Sequence, residues 1–282
     1  MTLRALFNET HRNLEVKFSV SEAKEISLLI FEALKNWTLT DILVKEDMET
    51  TPWLCEKVSG VVSRVLADEP VQYVLGQAHF YGMILKVTPA VLIPRPETAE
   101  LVDIIIDRYG SRSDLKVLDI ATGSGCIAIA LARNLRFASV DAFDISDSAL
   151  AVSKSNASAL KANVNFFKAD ILALSPSDNS KYDIIVSNPP YIALKEAEQM
   201  EPNVLDHEPA SALFVPDDDP LKFYLPISRY ALEVIEPDGS LFFEINPLYA
   251  SMLKKVMLGH GWTDIEILRD IHGKERFLIA RK

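Results

Sequence analysis

The stretch Tyr182-Asp183-Ile184-Ile185-Val186, closed off by Ser187-Asn188-Pro189-Pro190-Tyr191, constrains the fold more than any other part of this chain. An apolar, β-branched run of that length reads as a strand buried on both faces, the habit of a parallel sheet. Proline has no N–H to give to a ladder, so the strand must stop at Asn188. Two successive prolines then hold the backbone extended and fix where the Asn188 carboxamide and the Tyr191 ring point. Open α/β sheets place their chemistry at the carboxyl ends of such strands. A lone Asn-Pro-Pro also suits an ordinary turn, so its meaning depends on what else the sequence supplies.

Upstream and downstream the pattern repeats. Strands are expected at residues 115–120, 139–144 and 164–168, separated by helices, and this alternation predicts an α/β, Rossmann-like parallel sheet with helices on both faces. Before it, residues 1–75 read as a helical bundle: Ile26, Leu29, Ile30, Ala33, Leu34 and Trp37 share one helical face behind a Ser19/Glu22 capping box. A second helix starts at Thr51-Pro52 and carries Trp53, Leu54, Val58, Val61, Val62, Val65 and Leu66. Residues 76–95 form a hairpin linker built on Phe80-Tyr81-Gly82-Met83, and residues 96–282 form the domain with the sheet. After Tyr191 the chain reads as irregular and acidic through Asp219, then as helix 221–235, a stop at Pro237-Asp238-Gly239, strand 241–245, helix 247–259 and a closing strand pair turning at Gly273.

Composition excludes several classes. The 282 residues carry 40 acidic against 29 basic side chains, a formal charge of −11 with no Lys/Arg run, so direct binding to nucleic acid is not expected. Cys55 and Cys126 are the only cysteines, which provides no disulfide framework. No stretch is long and apolar enough to span a bilayer, and a cytoplasmic location without membrane attachment is expected.

The strand ending in Asp119-Ile120 runs into Ala121-Thr122-Gly123-Ser124-Gly125-Cys126, where glycine permits tight turning and close approach of a ligand to backbone. Asp144 ends the next strand, placed to accept both hydroxyls of a ribose. Asp170 and Ile171 end the third, placed to accept from an adenine amino group and to pack on the base. The loop formally satisfies the dinucleotide fingerprint, which keeps an NAD-dependent oxidoreductase open. Against that, a carboxylate at Asp119 suits a cation better than a pyrophosphate, and Asn-Pro-Pro-Tyr has no evident job in hydride transfer. S-adenosyl-L-methionine, a sulfonium with an amino group and no phosphate, accounts for the acids. Arg95 and Glu97, on the stiff Pro94-Arg95-Pro96-Glu97 loop, are further candidates.

Taken together, residues 119–126, Asp144 and Asn188-Pro189-Pro190-Tyr191 resemble a class I S-adenosylmethionine-dependent amino-methyltransferase. Glu69-Pro70-Val71-Gln72-Tyr73, Leu92-Ile93-Pro94-Arg95-Pro96-Glu97-Thr98, Glu208-Pro209, Glu244-Ile245 and Arg269-Asp270 with Gly273 and Arg276 narrow the resemblance to the peptide chain release factor N5-glutamine methyltransferases, over essentially the whole chain. The resemblance implies methylation of the glutamine of a Gly-Gly-Gln loop, with release factors as protein partners. It implies catalytic and substrate-binding roles for Asn188, Pro189, Pro190 and Tyr191, and substrate contacts from Arg95 and Glu97. Asp119, Ala121, Thr122, Gly123, Ser124, Gly125, Asp144, Asp170, Ile171 and Asn188 would hold the cofactor, and no metal is required. Three positions depart from the family: Ala121 and Asn246 stand where glycine is usual, and Ile171 where some members have an aromatic residue. An adenine-N6 methyltransferase acting on nucleic acid is the nearest alternative, since an exocyclic amine fits the same four residues.

Overall fold

The computed structural model describes residues 1–175 and 181–282. In chain order it forms α1 (Leu3–Leu14), α2 (Val20–Lys35), α3 (Leu39–Val44), α4 (Pro52–Leu66) and α5 (Val71–Leu75), then β1 (Gln77–Phe80), β2 (Met83–Lys86) and α6 (Pro96–Tyr109). There follow β3 (Lys116–Ile120), α7 (Cys126–Asn134), β4 (Ser139–Asp144), α8 (Asp147–Ala159), β5 (Val164–Lys168), β6 (Tyr182–Ser187) and β7 (Ile192–Ala193). The remainder holds α9 (Pro202–His207), α10 (Ala210–Leu213), β8 (Phe214–Val215), α11 (Tyr224–Val234), β9 (Ile235–Glu244), α12 (Ala250–Gly259), β10 (Asp264–Arg269) and β11 (Glu275–Arg281). Backbone contacts divide the chain into two units, Met1–Gln77 with Glu201–His207, and Ala78–Met200 with Glu208–Lys282. No helix among the described residues is long and apolar enough to cross a membrane.

The first unit is a helical bundle whose starts are written in side-chain oxygens. Thr2, Ser19, Thr38 and Thr51 each accept a backbone N–H of the first turn, and Pro52 occupies the first turn of α4 where no N–H is missed. Ser19 does so through Glu22 N–H, while the reciprocal capping box occurs at Thr38 and Asp41. Leu54, Val58, Val62 and Val65 recur on one face of α4 and are buried with Leu3, Ile30 and Phe31, each such side chain contributing roughly 1.5–3 kcal/mol. Trp53 does not join that face: it is 50% exposed, because one helical step of about 100° turns it away from Leu54.

The second unit is built on a seven-stranded sheet of order β10-β11-β9-β6-β3-β4-β5. The five strands from β9 to β5 are parallel; at the edge β11 runs antiparallel to β9, and β10 antiparallel to β11. Alternate side chains of β3 and β6 go to opposite faces. Val117, Ile184 and Val186 meet α6 and α7, whereas Leu118, Ile120 and Ile185 meet α11 and α12. Both layers are needed because neither face of the sheet can be left to water. Successive crossovers run outward from β3 in one direction and from β6 in the other, so these neighbours flank the switch point where a crevice opens at the carboxyl ends. Ile120 pairs with Ser187, which sets the loop after β3 beside Asn188. The expected hairpin is β1–β2, turning through Tyr81 and Gly82 at φ of 48° and 69°, the mirror-image turn that matches strand twist.

Two expectations are corrected. Pro237-Asp238-Gly239 does not end an element before the strand; β9 begins at Ile235 and takes these residues up as an irregularity, Tyr182 pairing with Ile235 and Ile184 with Ser240. Glycine is required at 239, since a Cβ would lie 2.9 Å from the Asp183 carbonyl oxygen. The segment after Tyr191 is not irregular throughout: β7 and β8 pair in parallel, with a 3-10 turn at Leu194–Gln199 and α9 and α10 between them. Side-chain bonds such as Asp217 accepting Lys195 N–H at 2.8 Å organise it, and these leave no hydrophobic period to read.

Candidate functional site

A cavity of about 380 Å³ opens at the carboxyl ends of the parallel strands. Its floor is the turn after β3. Ala121, Gly123 and Gly125 all adopt left-handed backbone, at φ of 59°, 53° and 81°, which lets five residues reverse direction between strand and helix. The turn is closed by Gly125 N–H donating to the Thr122 carbonyl at 2.8 Å and by Thr122 N–H donating to that of Phe143 at 3.1 Å.

Asp119 holds this turn from beneath. Its Oδ2 accepts the Thr122 hydroxyl at 2.6 Å and Ala128 N–H at 3.2 Å, while its Oδ1 is buried without a partner among the described residues. Burial pushes its pKa from 3.8 up to about 7 against those two hydrogen bonds. The buried Asn156 supports the turn from the side, donating to the carbonyls of Ser124 at 2.9 Å and Lys86 at 3.0 Å and accepting Lys86 N–H at 2.7 Å. That residue binds the hairpin to the turn, and an isolated Asn in a helix gave no sequence signal for it.

Asp144 stands at the end of β4 and lines the cavity. Its two oxygens accept Gly123 N–H and Ser146 N–H, both at 2.9 Å, so each retains lone-pair capacity for a ligand hydroxyl. Asp170, next along the sheet, also lines it with one oxygen taken by Leu172 N–H at 2.9 Å. Ile171, Phe143 and Ile145 supply apolar wall. Two acids with free lone pairs beside apolar surface fit a nucleoside bearing hydroxyls and a cationic group. S-adenosylmethionine has that chemistry.

On the other side of the switch point, Asn188, Pro189 and Pro190 border the cavity. Asn188 Nδ2 donates to Thr98 Oγ1 at 3.1 Å and to Glu244 Oε2 at 2.9 Å. The amide nitrogen is thereby held by this pair of acceptors, and Oδ1 is the end left for a ligand. Glu244 also accepts the Thr98 hydroxyl at 2.7 Å and, through Oε1, the Tyr191 hydroxyl at 3.1 Å. Burial raises the Glu244 pKa, opposed by the Thr98 and Tyr191 hydrogen bonds. Tyr191 is raised too, by burial first and then by the Glu244 charge.

Of the residues singled out in the sequence, Ala121, Thr122, Gly123, Ser124, Asp144, Asp170, Ile171, Asn188, Pro189, Pro190 and Arg95 all line the cavity. Asp119, Gly125, Tyr191 and Glu97 do not; the first two shape the turn, and the Tyr191 hydroxyl is turned to Glu244. Arg95 and Glu97 do not form a pair. Arg95 bonds the buried Glu208, which also accepts Ile93 N–H at 3.2 Å, so the proline-framed loop is pinned to the segment opening α10. Thr98 and Glu244 carried no separate site signal in the sequence, because a strand-end Glu and a helix-start Thr reveal their roles only once β9 and α6 converge. Asn246 donates to the Tyr191 carbonyl at 3.1 Å and to Glu196 Oε1 at 2.9 Å, tying the residues on either side of β7 to the end of β9.

Comparison with known proteins gives a consistent result. Family profiles described as "PrmC N-terminal domain" and "Methyltransferase small domain" match residues 6–76 and 101–208. A release factor glutamine methyltransferase of Bacteroides thetaiotaomicron is 41% identical over 96% of this chain and 97% of its own length. One from Flavobacterium psychrophilum is 37% identical over 93% and 92%. Among solved structures, a methyltransferase from Pyrococcus furiosus superposes with a TM-score of 0.54 at 15% identity, covering 79% of this chain and 98% of that one, a likeness of fold.

Proposed function

The chain belongs to the release factor glutamine methyltransferases, and from that premise we propose that its cavity holds S-adenosyl-L-methionine against Asp144 and Asp170 while Asn188 presents the glutamine side chain of a release factor, in the Gly-Gly-Gln motif, for methylation at its amide nitrogen. The names borne by the relatives do not favour the adenine-N6 and oxidoreductase alternatives.

One arrangement carries this reading: the Asn188 amide nitrogen is bound by Thr98 and Glu244, so its carbonyl oxygen is free to accept. A carboxamide nitrogen is a poor nucleophile because its lone pair is delocalised into the carbonyl. Asn188 Oδ1 and the Pro189 backbone carbonyl accept its two N–H groups, orienting the nitrogen and returning electron density to it. S-adenosylmethionine, when bound, supplies a methyl group on a positively charged sulfur. Pro189 and Pro190 keep the acceptors fixed, which avoids reorganisation as the positive charge disperses. The proton leaves afterwards to water or a nearby acceptor. Tyr191 buttresses Glu244 from outside the cavity through its hydroxyl. Arg95, held by Glu208, and Glu97 stand toward the entering peptide. The helical residues 1–75 and the acidic stretch through Asp219 serve as docking surfaces for the release factor, in keeping with the profile match over 6–76.

The test is incubation with methyl-labelled S-adenosylmethionine and either a release factor or DNA, followed by peptide mapping. Label is expected on the release factor glutamine. Asn188→Ala is expected to abolish transfer with cofactor binding nearly intact. Label on an adenine, or turnover surviving in the variant, overturns the reading.

A further inference from the structure

We infer that Glu244 is a positioning residue: its carboxylate determines which end of the Asn188 carboxamide faces the cavity, and so makes the site an acceptor for an NH2 group. The inference deepens the function proposed above and rests on Asn188 being the group that receives the substrate amide.

The two ends of a carboxamide have nearly the same shape, so sterics alone do not select between them; the hydrogen-bonding partners do. Here the partners are one-sided. Glu244 is buried and its oxygens take donors from Asn188 at 2.9 Å, Thr98 at 2.7 Å and Tyr191 at 3.1 Å. Thr98 gives its only hydroxyl hydrogen to Glu244 and can offer Asn188 nothing but a lone pair, which the amide nitrogen approaches at 3.1 Å beside the carboxylate. Reversing Asn188 would set its oxygen against a carboxylate oxygen and a hydroxyl lone pair, both on buried residues, with no donor for it. The amide therefore points its oxygen outward.

The selection lasts only while Glu244 is an acceptor. A protonated or amidated side chain at 244 has a hydrogen to donate, and the reversed Asn188 then becomes acceptable, presenting NH2 to a substrate NH2. The charged and titratable groups facing Glu244 are Glu97 from α6, Arg276 from β11, Tyr191, Cys126 from α7 and Tyr224 from α11, whose hydroxyl donates to the Glu244 carbonyl at 3.0 Å. Arg276 favours the carboxylate, and burial and Glu97 oppose it, which brings the loss of the acceptor to a higher pH than for an ordinary glutamate.

Glu244→Gln and Glu244→Asp are the informative variants, read in three ways. In the Gln variant kcat is expected to fall by about 10²-fold, as for a displaced reacting group, with the S-adenosylmethionine Kd within about 3-fold. Its residual rate should lose the acid-side decline that the wild type shows as pH drops, and the Asp variant should recover part of kcat with that decline restored. Independently of any methyl acceptor, hydrogen exchange of the Asn188 side-chain NH2, followed by 15N NMR, is expected to be slow in the wild type and at least about 10-fold faster in the Gln variant, where the group turns toward the cavity. Unchanged exchange, or a Gln variant with wild-type kcat, overturns the inference. A wild-type chain that labels no release factor yet shows the exchange difference would overturn the proposed substrate and leave the orienting role of Glu244 standing.

Discussion

The backbone N–H of Gly123 donates to Asp144 Oδ2 at 2.9 Å, joining the turn after β3 to the end of β4 across the cavity floor. Asp144 therefore shapes the turn as well as lining the cavity. Asp144→Ala is expected to weaken S-adenosylmethionine binding by roughly 1.5–3 kcal/mol, the worth of a hydrogen bond to a charged group. Asp144→Asn should lose less, because one oxygen remains for Gly123. Calorimetric titration of both variants checks this, and an unchanged affinity in the alanine variant would remove Asp144 from the ribose position.

Gly123 and Gly125 share a backbone conformation but differ in what surrounds them. A Cβ on Gly125 would lie 3.0 Å from the Ser153 Cβ, 3.1 Å from Ile129 Cδ1 and 3.4 Å from Phe166 Cζ, whereas one on Gly123 meets nothing within 4 Å. Gly125→Ala thus combines left-handed strain with overpacking and should cost about 2–4 kcal/mol. Gly123→Ala carries the strain alone, about 1–2 kcal/mol, and its methyl enters open space in the cavity lining. Urea unfolding is expected to rank Gly125→Ala as the more destabilised, and equal losses would refute the distinction.

The sheet was readable because its evidence is local. Buried strands such as 182–186 are short apolar runs, their ends are marked by Pro189 or by the glycines of 123–125, and both faces are covered by helices with a 3.6-residue period. Asp144, Asp170 and Asn188 were readable as strand ends for the same reason. What stayed hidden depends on long-range convergence. Glu244 lies 56 positions from Asn188 and Thr98 lies 90, so only the folded sheet brings a strand-end acid and a helix-start hydroxyl to one carboxamide. Glu97 is the acid nearest Arg95 in sequence, yet an arginine on a stiff loop takes the partner its backbone aims it at, here Glu208.

Ala121 occupies a φ of 59° where its methyl is unfavourable. Glycine avoids that contact but gives up more chain entropy on folding, so the net gain from Ala121→Gly is expected to be about 1 kcal/mol. In a domain of this size that raises the melting temperature by about 2–4 °C. The methyl also borders the cavity, and its removal should leave cofactor affinity equal or higher. A lower melting temperature in a thermal scan would show that the turn is not strained at this position.

Asp119 links stability to pH. Its folded pKa of about 7 exceeds the ordinary value of 3.8, so the folded chain holds a proton there that the unfolded chain has released. The associated stabilisation is complete below about pH 3.8 and disappears as pH rises through about 7, a difference on the order of 4 kcal/mol for a fully desolvated carboxyl. Asp119→Asn removes the titration. Its amide oxygen can still accept Thr122 and Ala128, while the NH2 placed at the orphaned position costs about 1–3 kcal/mol at every pH. The variant should therefore be the less stable of the two at low pH, with the difference narrowing or reversing as pH rises through 7. Urea unfolding at intervals from about pH 5 to 9 reads this directly, since Glu244 and the other carboxyls contribute equally to both proteins and cancel in the comparison. Parallel curves over that range would mean that Asp119 stays ionised in the fold.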